Sequence, residues 1–351
     1  MARAATSSGA GGVARAATSS EAGGVARATP SGVLLIDKPR GRSSHDVVGA
    51  TRRALGTRAV GHAGTLDPMA TGLLVVLVGD ATRLSPFLTG ARKRYRARVL
   101  LGVGTDSLDA DGAETARSPL PAAIREELAR ASVEAPPPAL ARALEAERER
   151  REQIPPDVSA LHVDGERAYE RARRGETLAL PPRPIEVGEA RLVGIDAADE
   201  SFPSIEVELE VSKGYYVRAF ARDLGAALGA PAHLTALRRL ASGAFSVDEA
   251  LPLEPAHALA RALTPTGEAL RRALPSAELS DEGALRARQG KALGPEHFVG
   301  AMPEGVAAWF RADEAVAIGE TQGAEARIVR GFPPPPPGGR RQAASSSGTP
   351  P

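Results

Sequence analysis

Residues 61–72 read GHAGTLDPMATG and lead into an apolar run, residues 73–78. Three glycines and a proline in this segment indicate a loop with a fixed, unusual backbone. Asp67 precedes Pro68, so its backbone is held extended and its carboxylate is presented from a rigid support. On residue types alone, Asp67 is equally compatible with capping a turn, and the histidine at position 62 with an ordinary loop position.

The segments around this loop predict alternating strands and helices. Residues 33–37 (VLLID) are typical of a buried strand. Ser43 and Asp46 form a capping box ahead of a helix that ends at Gly56. Residues 205–211 (IEVELEV) alternate between apolar side chains and Glu, as in a strand with one face in water. Further elements are predicted as a strand at 94–101, helices at 142–152, 166–174 and 217–228, and short strands at 306–310, 316–318 and 327–329.

The two ends of the chain differ in composition from the rest. Residues 1–31 contain a twelve-residue stretch, ARAATSSGAGGV, that is repeated almost unchanged, and they are interpreted as a disordered leader. Residues 333–351 begin with five prolines and continue as a small, polar tail. The remaining sequence predicts one large domain at 32–255 and a small β-rich domain at 275–332.

Composition limits the classes of function. Basic and acidic residues number 44 and 43, so recognition of a polyanion requires a local patch rather than a uniform charge field. The sequence has no cysteine, which excludes disulfides and thiolate chemistry. Its longest apolar run, residues 73–78, is far shorter than the roughly 20 residues that cross a bilayer. We therefore expect a soluble protein in the cytoplasm.

Several separated motifs, in the order and spacing of one family, resemble the TruB-type tRNA pseudouridine synthases. The resemblance covers residues 32–251 and is carried by GVLLIDKPRGRSS, GHAGTLDPMATG, KRYRARVLLGVGTDSLDADG, QIPPDVSALHVDGERAYERARRG, RPIEV, SKGYYVRAFARDLG and LRRL. It implies an α+β pseudouridine synthase fold with a central mixed, largely antiparallel sheet flanked by helices. Residues 275–332 resemble, more faintly, the RNA-binding PUA-type domain of that family.

The resemblance also implies an isomerisation in which uracil leaves C1′ of its ribose, turns, and is rejoined through C5. It assigns the reacting carboxylate to Asp67 and leaves open whether this group attacks the sugar or the base. An ionised carboxylate in a pocket requires a positive neighbour, and the resemblance implies that this neighbour is Arg218. The resemblance also places Tyr216 near the base, as a hydrogen-bonding partner or as the acceptor of the C5 proton. If the segment from Tyr216 to Arg218 is extended, both side chains can point into one pocket. Without the family match, an arginine in a surface ion pair and a tyrosine in the core fit equally well.

A uridine stacked inside a folded RNA loop must be flipped out to react. The resemblance implies that His62 fills the vacated space and that Tyr95 stacks on the extruded uracil. Lys38, with the proline that follows it, is expected to shape the floor of the pocket. Arg94 and Arg96 lie in a run of five basic residues, 92–98, which is typical of phosphate contacts around a stacked base. A strand edge protected by charge is the alternative for that run.

No cofactor or metal is expected, because the reaction exchanges no electrons and the six histidines form no spacing typical of ligands. The expected partner is the T arm of tRNA, bound by a monomer without a membrane or a protein partner. Two other functions remain open. One is a non-catalytic protein that binds or folds tRNA, and the other is an RNA-guided pseudouridine synthase.

Overall fold

The computed structural model describes residues 30–157, 162–163, 166–167, 180–254 and 256–334. The predicted leader lies outside the described residues except for Pro30 and Ser31, and so does the predicted tail from residue 335 onward. Most of the helix predicted at 166–174 also lies outside them. Its first two residues form a short strand instead, so that part of the prediction is wrong.

Within the described residues, helices and strands alternate up to about residue 250, and strands dominate from residue 276 onward. The helices are α1 (Ser44–Leu55), α2 (Ser85–Gly90), α3 (Ala122–Arg130), α4 (Pro138–Glu149), α5 (Val217–Ala227), α6 (Ala256–Leu259), α7 (Thr266–Ala273) and α8 (Asp281–Arg288). The strands are β1 (Gly32–Lys38), β2 (Val60–His62), β3 (Thr71–Val78), β4 (Lys93–Leu101), β5 (Val103–Thr105), β6 (Glu114–Arg117), β7 (Glu152–Gln153), β8 (His162–Val163), β9 (Glu166–Arg167), β10 (Arg183–Pro184), β11 (Val187–Asp196), β12 (Ser204–Val211), β13 (Ala232–Ser242), β14 (Phe245–Ser246), β15 (Leu251–Pro252), β16 (Ser276–Leu279), β17 (Phe298–Val299), β18 (Gly305–Arg311), β19 (Glu314–Gln322) and β20 (Glu325–Gly331).

A nine-stranded mixed sheet forms the centre of the molecule. Its main path runs β11-β12-β4-β13-β3-β1-β15, with β14 beside β13 and β2 beside β3. Most neighbours are antiparallel, but β13 runs parallel to β3 and β15 runs parallel to β1. The predicted central sheet, mixed and largely antiparallel, is confirmed.

Strand β3 is buried on both faces, which explains its continuous apolar sequence. Leu74 and Val76 pack with the apolar face of α1, and Leu73 and Val75 pack on the other side of the sheet. Helix α1 begins after the predicted capping box, in which the Ser43 hydroxyl accepts from the Asp46 amide. It ends at Gly56, whose φ of 63° is the left-handed conformation that favours glycine at a helix end.

A close approach of strands β13 and β3 depends on Gly72. Its φ is +96°, and a Cβ there would lie 2.3 Å from the carbonyl oxygen of Arg239. Only glycine permits this spacing and this backbone together. The hairpin of β2 and β3 therefore docks on β13, and the eight residues between its strands, 63–70, form what we call the Asp67 loop.

Residues 276–331 form a second, five-stranded sheet in the order β17-β16-β18-β19-β20. The fully buried Trp309 fills its own core. On the opposite face, Phe310 and Ile318 join the cluster that contains Leu73 and Val75. The β-rich C-terminal region predicted from the sequence thus packs directly on the central sheet.

Two predicted helices differ from the observed ones in detail. The segment at 142–152 was expected as an exposed helix, but α4 begins at Pro138 and buries Leu140, Leu144 and the carboxylate of Glu147. The helix predicted at 217–228 is confirmed as α5, one residue shorter. Across the described ranges, no helix has both the length and the apolar character that crossing a membrane requires.

Candidate active site

Buried hydrogen bonds fix the Asp67 loop from three sides. The ammonium group of Lys38 donates to the carbonyl of Pro68 at 3.3 Å. The Arg239 guanidinium, which is fully buried, donates to the carbonyls of Gly64 and Thr65 at 3.1 and 3.3 Å. Ser44, the first residue of α1, exchanges two hydrogen bonds with the backbone of Leu66. The loop is therefore a rigid support, as its glycines and proline predict.

The Asp67 carboxylate is held by Arg218. The guanidinium donates from Nε to Asp67 Oδ2 at 2.9 Å and from Nη2 to Oδ1 at 3.4 Å. The Arg218 side chain is 7% exposed and that of Asp67 is 34% exposed, so the arginine lies behind the carboxylate and the carboxylate faces outward. A two-pronged bond of this kind fixes both the position and the orientation of the acid.

A second acid, which the sequence analysis did not assign to the site, lies behind Arg218. The buried Asp109 places Oδ2 3.6 Å from Arg218 Nε, and the carbonyl of Ser107 accepts from Nη1 at 2.9 Å. Between them, Leu108 adopts a φ of +63°, which is uncommon for a side chain of its size. No local pattern marks Asp109 as a site residue, because 108 positions of chain separate it from Arg218.

Tyr216 precedes helix α5, and Arg218 lies in the first turn of that helix. Arg218 therefore lies within the helix predicted from residue 217 onward, and the alternative of an extended backbone through Arg218 does not apply. Tyr216 itself is extended, with φ −111° and ψ 109°. The change from extended to helical backbone between the two residues still brings both side chains to one pocket.

This pocket has a volume of about 350 Å³ and lies between the Asp67 loop, strands β4 and β13, and the segment that leads into α5. Its walls combine aromatic rings with charged side chains. The residues that line it are Gly64, Thr65, Leu66, Asp67, Thr89, Lys93, Tyr95, Ser212, Lys213, Gly214, Tyr215, Tyr216, Val217, Arg218, Leu237 and Arg239. Four of these are cationic and Asp67 alone is acidic, so the pocket favours a ligand that carries negative charge.

Two lysines near the pocket are buried and have lowered pKa values. Burial lowers the pKa of Lys93 to about 8, and the nearby positive charges of Arg239 and Lys213 add to the effect. The Lys93 ammonium is held at the end of α2 by the carbonyls of Thr89 and Ala91, at 2.5 and 2.7 Å. Burial also lowers the pKa of Lys38 to about 8, although the Asp67 carboxylate opposes part of that shift.

Tyr95 lies half-buried on the pocket side of β4. The contact of Arg94 and Arg96 with phosphate stays a prediction. Because alternate strand residues point to opposite faces, both side chains lie on the face of β4 away from Tyr95. Arg96 binds Glu208 at 2.7 Å, and Arg94 lies 3.5 Å from Glu189. Strand β4 is also central rather than an edge, since β12 and β13 flank it. Acids on strands β11 and β12 therefore neutralise much of this basic run.

Lys38 and His62 both lie outside the pocket wall. Lys38 is fully buried, and its ammonium group donates to the carbonyls of Arg42 and Pro68, so it supports the Asp67 loop. His62, on β2, is half-buried and makes an edge-to-face contact with His45 at 6.2 Å between ring centroids. Burial, together with His45 and Arg239, lowers the pKa of His62. Within the described ranges, no cluster of three potential metal ligands is present.

Family models and individual relatives point to one group of proteins. The model of the TruB family pseudouridylate synthase N-terminal domain matches residues 52–217, and that of the tRNA pseudouridylate synthase B C-terminal domain matches residues 218–279. The tRNA pseudouridine synthase B of Thermobifida fusca is 43% identical over 274 residues, which are 77% of this chain and 88% of that protein. The Leifsonia xyli protein of the same name is 42% identical over 306 residues, which are 86% and 97% of the two chains.

Solved structures agree at the level of the fold. A chain in the archaeal box H/ACA sRNP Nop10-Cbf5 complex has a TM-score of 0.61 and 22% identity, with 87% of each chain covered. A chain in an H/ACA RNP bound to a substrate RNA containing 2′-deoxyuridine has a TM-score of 0.60 and 22% identity, covering 86% of this chain and 85% of that one. With both family models matched in sequence and relatives above 40% identity, this chain belongs to the TruB family of pseudouridylate synthases.

Proposed function

We propose that this protein converts a uridine in the T loop of tRNA to pseudouridine, with Asp67 as the reacting carboxylate. The observation that carries the proposal is the Asp67–Arg218 pair, whose half-exposed acid faces a pocket that also contains Tyr95 and Tyr216. The relatives named tRNA pseudouridine synthase B, at 42 to 43% identity, support tRNA as the substrate.

The reaction breaks the bond between N1 of uracil and C1′ of ribose and forms a bond between C5 and C1′. The C5 proton is lost and N1 gains a proton, so atoms balance without a cofactor. Asp67 serves as nucleophile whether it attacks C1′ of the sugar or C6 of the base. Arg218 compensates the charge of the carboxylate and holds its two oxygens in one orientation.

Tyr216 lines the same pocket and is proposed as the group that contacts the base and accepts the C5 proton. Tyr95, on β4, is proposed to stack on the extruded uracil, an interaction worth roughly 1 to 3 kcal/mol. The cations Lys93 and Lys213 in the pocket wall suit an RNA ligand, whose backbone is anionic. We propose that His62, beside the pocket, takes the space that the flipped base leaves in the RNA.

The division into a catalytic domain at 32–255 and a PUA-like RNA-binding domain at 275–332 is also proposed. It is supported by the separation of the two sheets along the chain, at residues 32–252 and 276–331. Shared burial of Phe310 and Leu73 makes the second sheet a fixed extension of the first.

The proposal is tested with a bare T-arm hairpin as the only RNA. We expect the purified protein to convert one uridine without added cofactor, metal or guide RNA. Binding without conversion would overturn the proposal in favour of a protein that binds or folds tRNA. Conversion only when a guide RNA is supplied would overturn it in favour of an RNA-guided enzyme.

A further inference from the structure

The amide side chain of Gln153 binds both polar groups of the Tyr216 backbone. Its Oε1 accepts from the Tyr216 amide at 2.8 Å, and its Nε2 donates to the Tyr216 carbonyl at 3.1 Å. Gln153 is 2% exposed, so these bonds form away from water. A buried amide that uses a donor and an acceptor on one residue fixes that residue in place and in orientation.

We call these two hydrogen bonds the Gln153 clamp. Its position allows it to affect two groups of the site, the Tyr216 phenol and the Arg218 guanidinium. Tyr216 immediately precedes α5 and has no side-chain cap of its own at the start of the helix. The helix begins at Val217, and Arg218 lies in its first turn. A shift of the Tyr216 backbone would therefore displace both its phenol and the guanidinium that binds Asp67.

Three neighbouring contacts dock residues 147–154 on α5 and on Tyr215, the residue two positions before that helix. None of them involves the Tyr216 backbone. The Tyr215 hydroxyl donates to Glu147 at 2.7 Å, Arg150 lies 3.1 Å from Asp223, and Arg222 donates to the carbonyl of Ile154 at 3.0 Å. Burial and the Glu147 carboxylate raise the pKa of Tyr215, which keeps this hydroxyl a donor. General docking of the segment thus has its own supports, and Gln153 adds a separate connection to the site.

We propose that Gln153 is a positioning residue that sets the Tyr216 backbone and, through it, the placement of the Tyr216 phenol and Arg218 relative to Asp67. This inference rests on the proposed function. A purely structural role would require only that residues 150–154 remain docked, which the other contacts also support. The two roles differ in what happens to kcat when docking is preserved.

Replacement of Gln153 by Glu separates these roles by pH. An ionised carboxylate still accepts from the Tyr216 amide but repels the Tyr216 carbonyl, whereas a protonated carboxyl can donate to that carbonyl. Burial and the adjacent carbonyl favour the protonated form and raise the pKa of the introduced group. For Gln153→Glu we expect kcat to fall about tenfold below wild type at pH 8, with KM little changed, and to recover toward wild type as pH is lowered.

Gln153→Met removes both hydrogen bonds and should lower kcat by a similar factor at every pH. The matched control is Arg222→Met, which removes a docking contact on the same segment and should leave kcat at the wild-type value. Wild-type kcat in both Gln153 variants, or a loss in Gln153→Glu that does not depend on pH, would overturn the proposal. So would an equal loss of kcat in the Arg222 control.

Hydrogen exchange at the Tyr216 amide provides a readout that does not depend on turnover. We expect faster exchange in Gln153→Met than in wild type or Arg222→Met, and equal rates would overturn the clamp. If wild-type protein fails to modify the hairpin, the proposed function falls while the exchange rates still test Gln153. If wild-type protein is active, a failure of the Gln153 variants to respond counts against the clamp alone.

Discussion

Arg218 is the residue on which the geometry of the acid depends. Its guanidinium makes two hydrogen bonds to Asp67 and one to the Ser107 carbonyl, and it faces Asp109 on a further side. A lysine at this position would keep the charge but lose the planar arrangement of donors. A substitution by lysine therefore tests whether Asp67 requires only a positive neighbour or also a fixed orientation.

For Arg218→Lys we predict a fall in kcat of roughly tenfold to a hundredfold, because hydrogen bonds to a charged group are worth about 1.5 to 3 kcal/mol. RNA affinity should change by much less, since the lysine keeps the pocket cationic. Single-turnover kinetics and a binding titration on the T-arm hairpin measure the two quantities. Arg222→Lys, four residues later on the same helix, is the matched control, and a wild-type rate for Arg218→Lys would show that the acid needs no orientation.

The docking of β3 on β13 holds the Asp67 loop in place. Gly72 permits this contact because its φ is +96° and it has no Cβ. A Cβ at this position would lie only 2.3 Å from the carbonyl oxygen of Arg239 and would clash with it. The side chain of Arg239 then reaches back to the loop carbonyls. Stability of the sheet and placement of the acid are therefore coupled at this one contact.

We predict that Gly72→Ala lowers the free energy of unfolding by about 3 kcal/mol or more, since it combines a strained φ with a backbone clash. Gly56→Ala is the control, because Gly56 also has a positive φ but has open space around it. That change should cost only about 1 kcal/mol. Urea unfolding of both variants measures the difference, and equal losses would contradict the role given to the close approach.

The end of α2 carries a pH-dependent contribution through Lys93. Its pKa is about 8 in the folded protein and 10.5 as the ordinary value, so the unfolded chain binds more protons between these pH values. The free energy of unfolding of the wild type should therefore rise with pH from about 8 to about 10, relative to Lys93→Met. We expect a gain of a few kcal/mol, at about 1.4 kcal/mol per tenfold change in proton affinity. Parallel pH profiles for the two proteins would contradict this assignment.

At the scale of the whole molecule, local sequence patterns predicted the elements well. The capping box of Ser43, the apolar strand at 73–78 and the helix after Tyr216 all depend on residues close together in the chain. The resemblance to the family brought Asp67 and Arg218 together, although 150 positions separate them. No local sequence pattern indicates a pairing over this distance, so residue types alone do not predict that Asp67 and Arg218 form a pair.

Other features around the site depend on contacts between distant segments. The sequence predicts that Arg94 and Arg96 contact phosphate, but it does not show that β12 places Glu210 and Glu208 opposite them in the sheet. No local pattern indicates Gln153 as a site residue, because the role proposed for it depends on where the Tyr216 backbone lies. Register and packing, which the linear sequence does not state, decide both cases.

The central claim is that the Asp67 carboxylate drives the exchange of N1 for C5 on a bound uridine. Release of tritium from tRNA labelled at uridine C5 tests it most directly, because only rearrangement at C5 frees the label. We expect release by the wild type and none by Asp67→Asn, which should still bind the tRNA. Release by Asp67→Asn at the wild-type rate would contradict it.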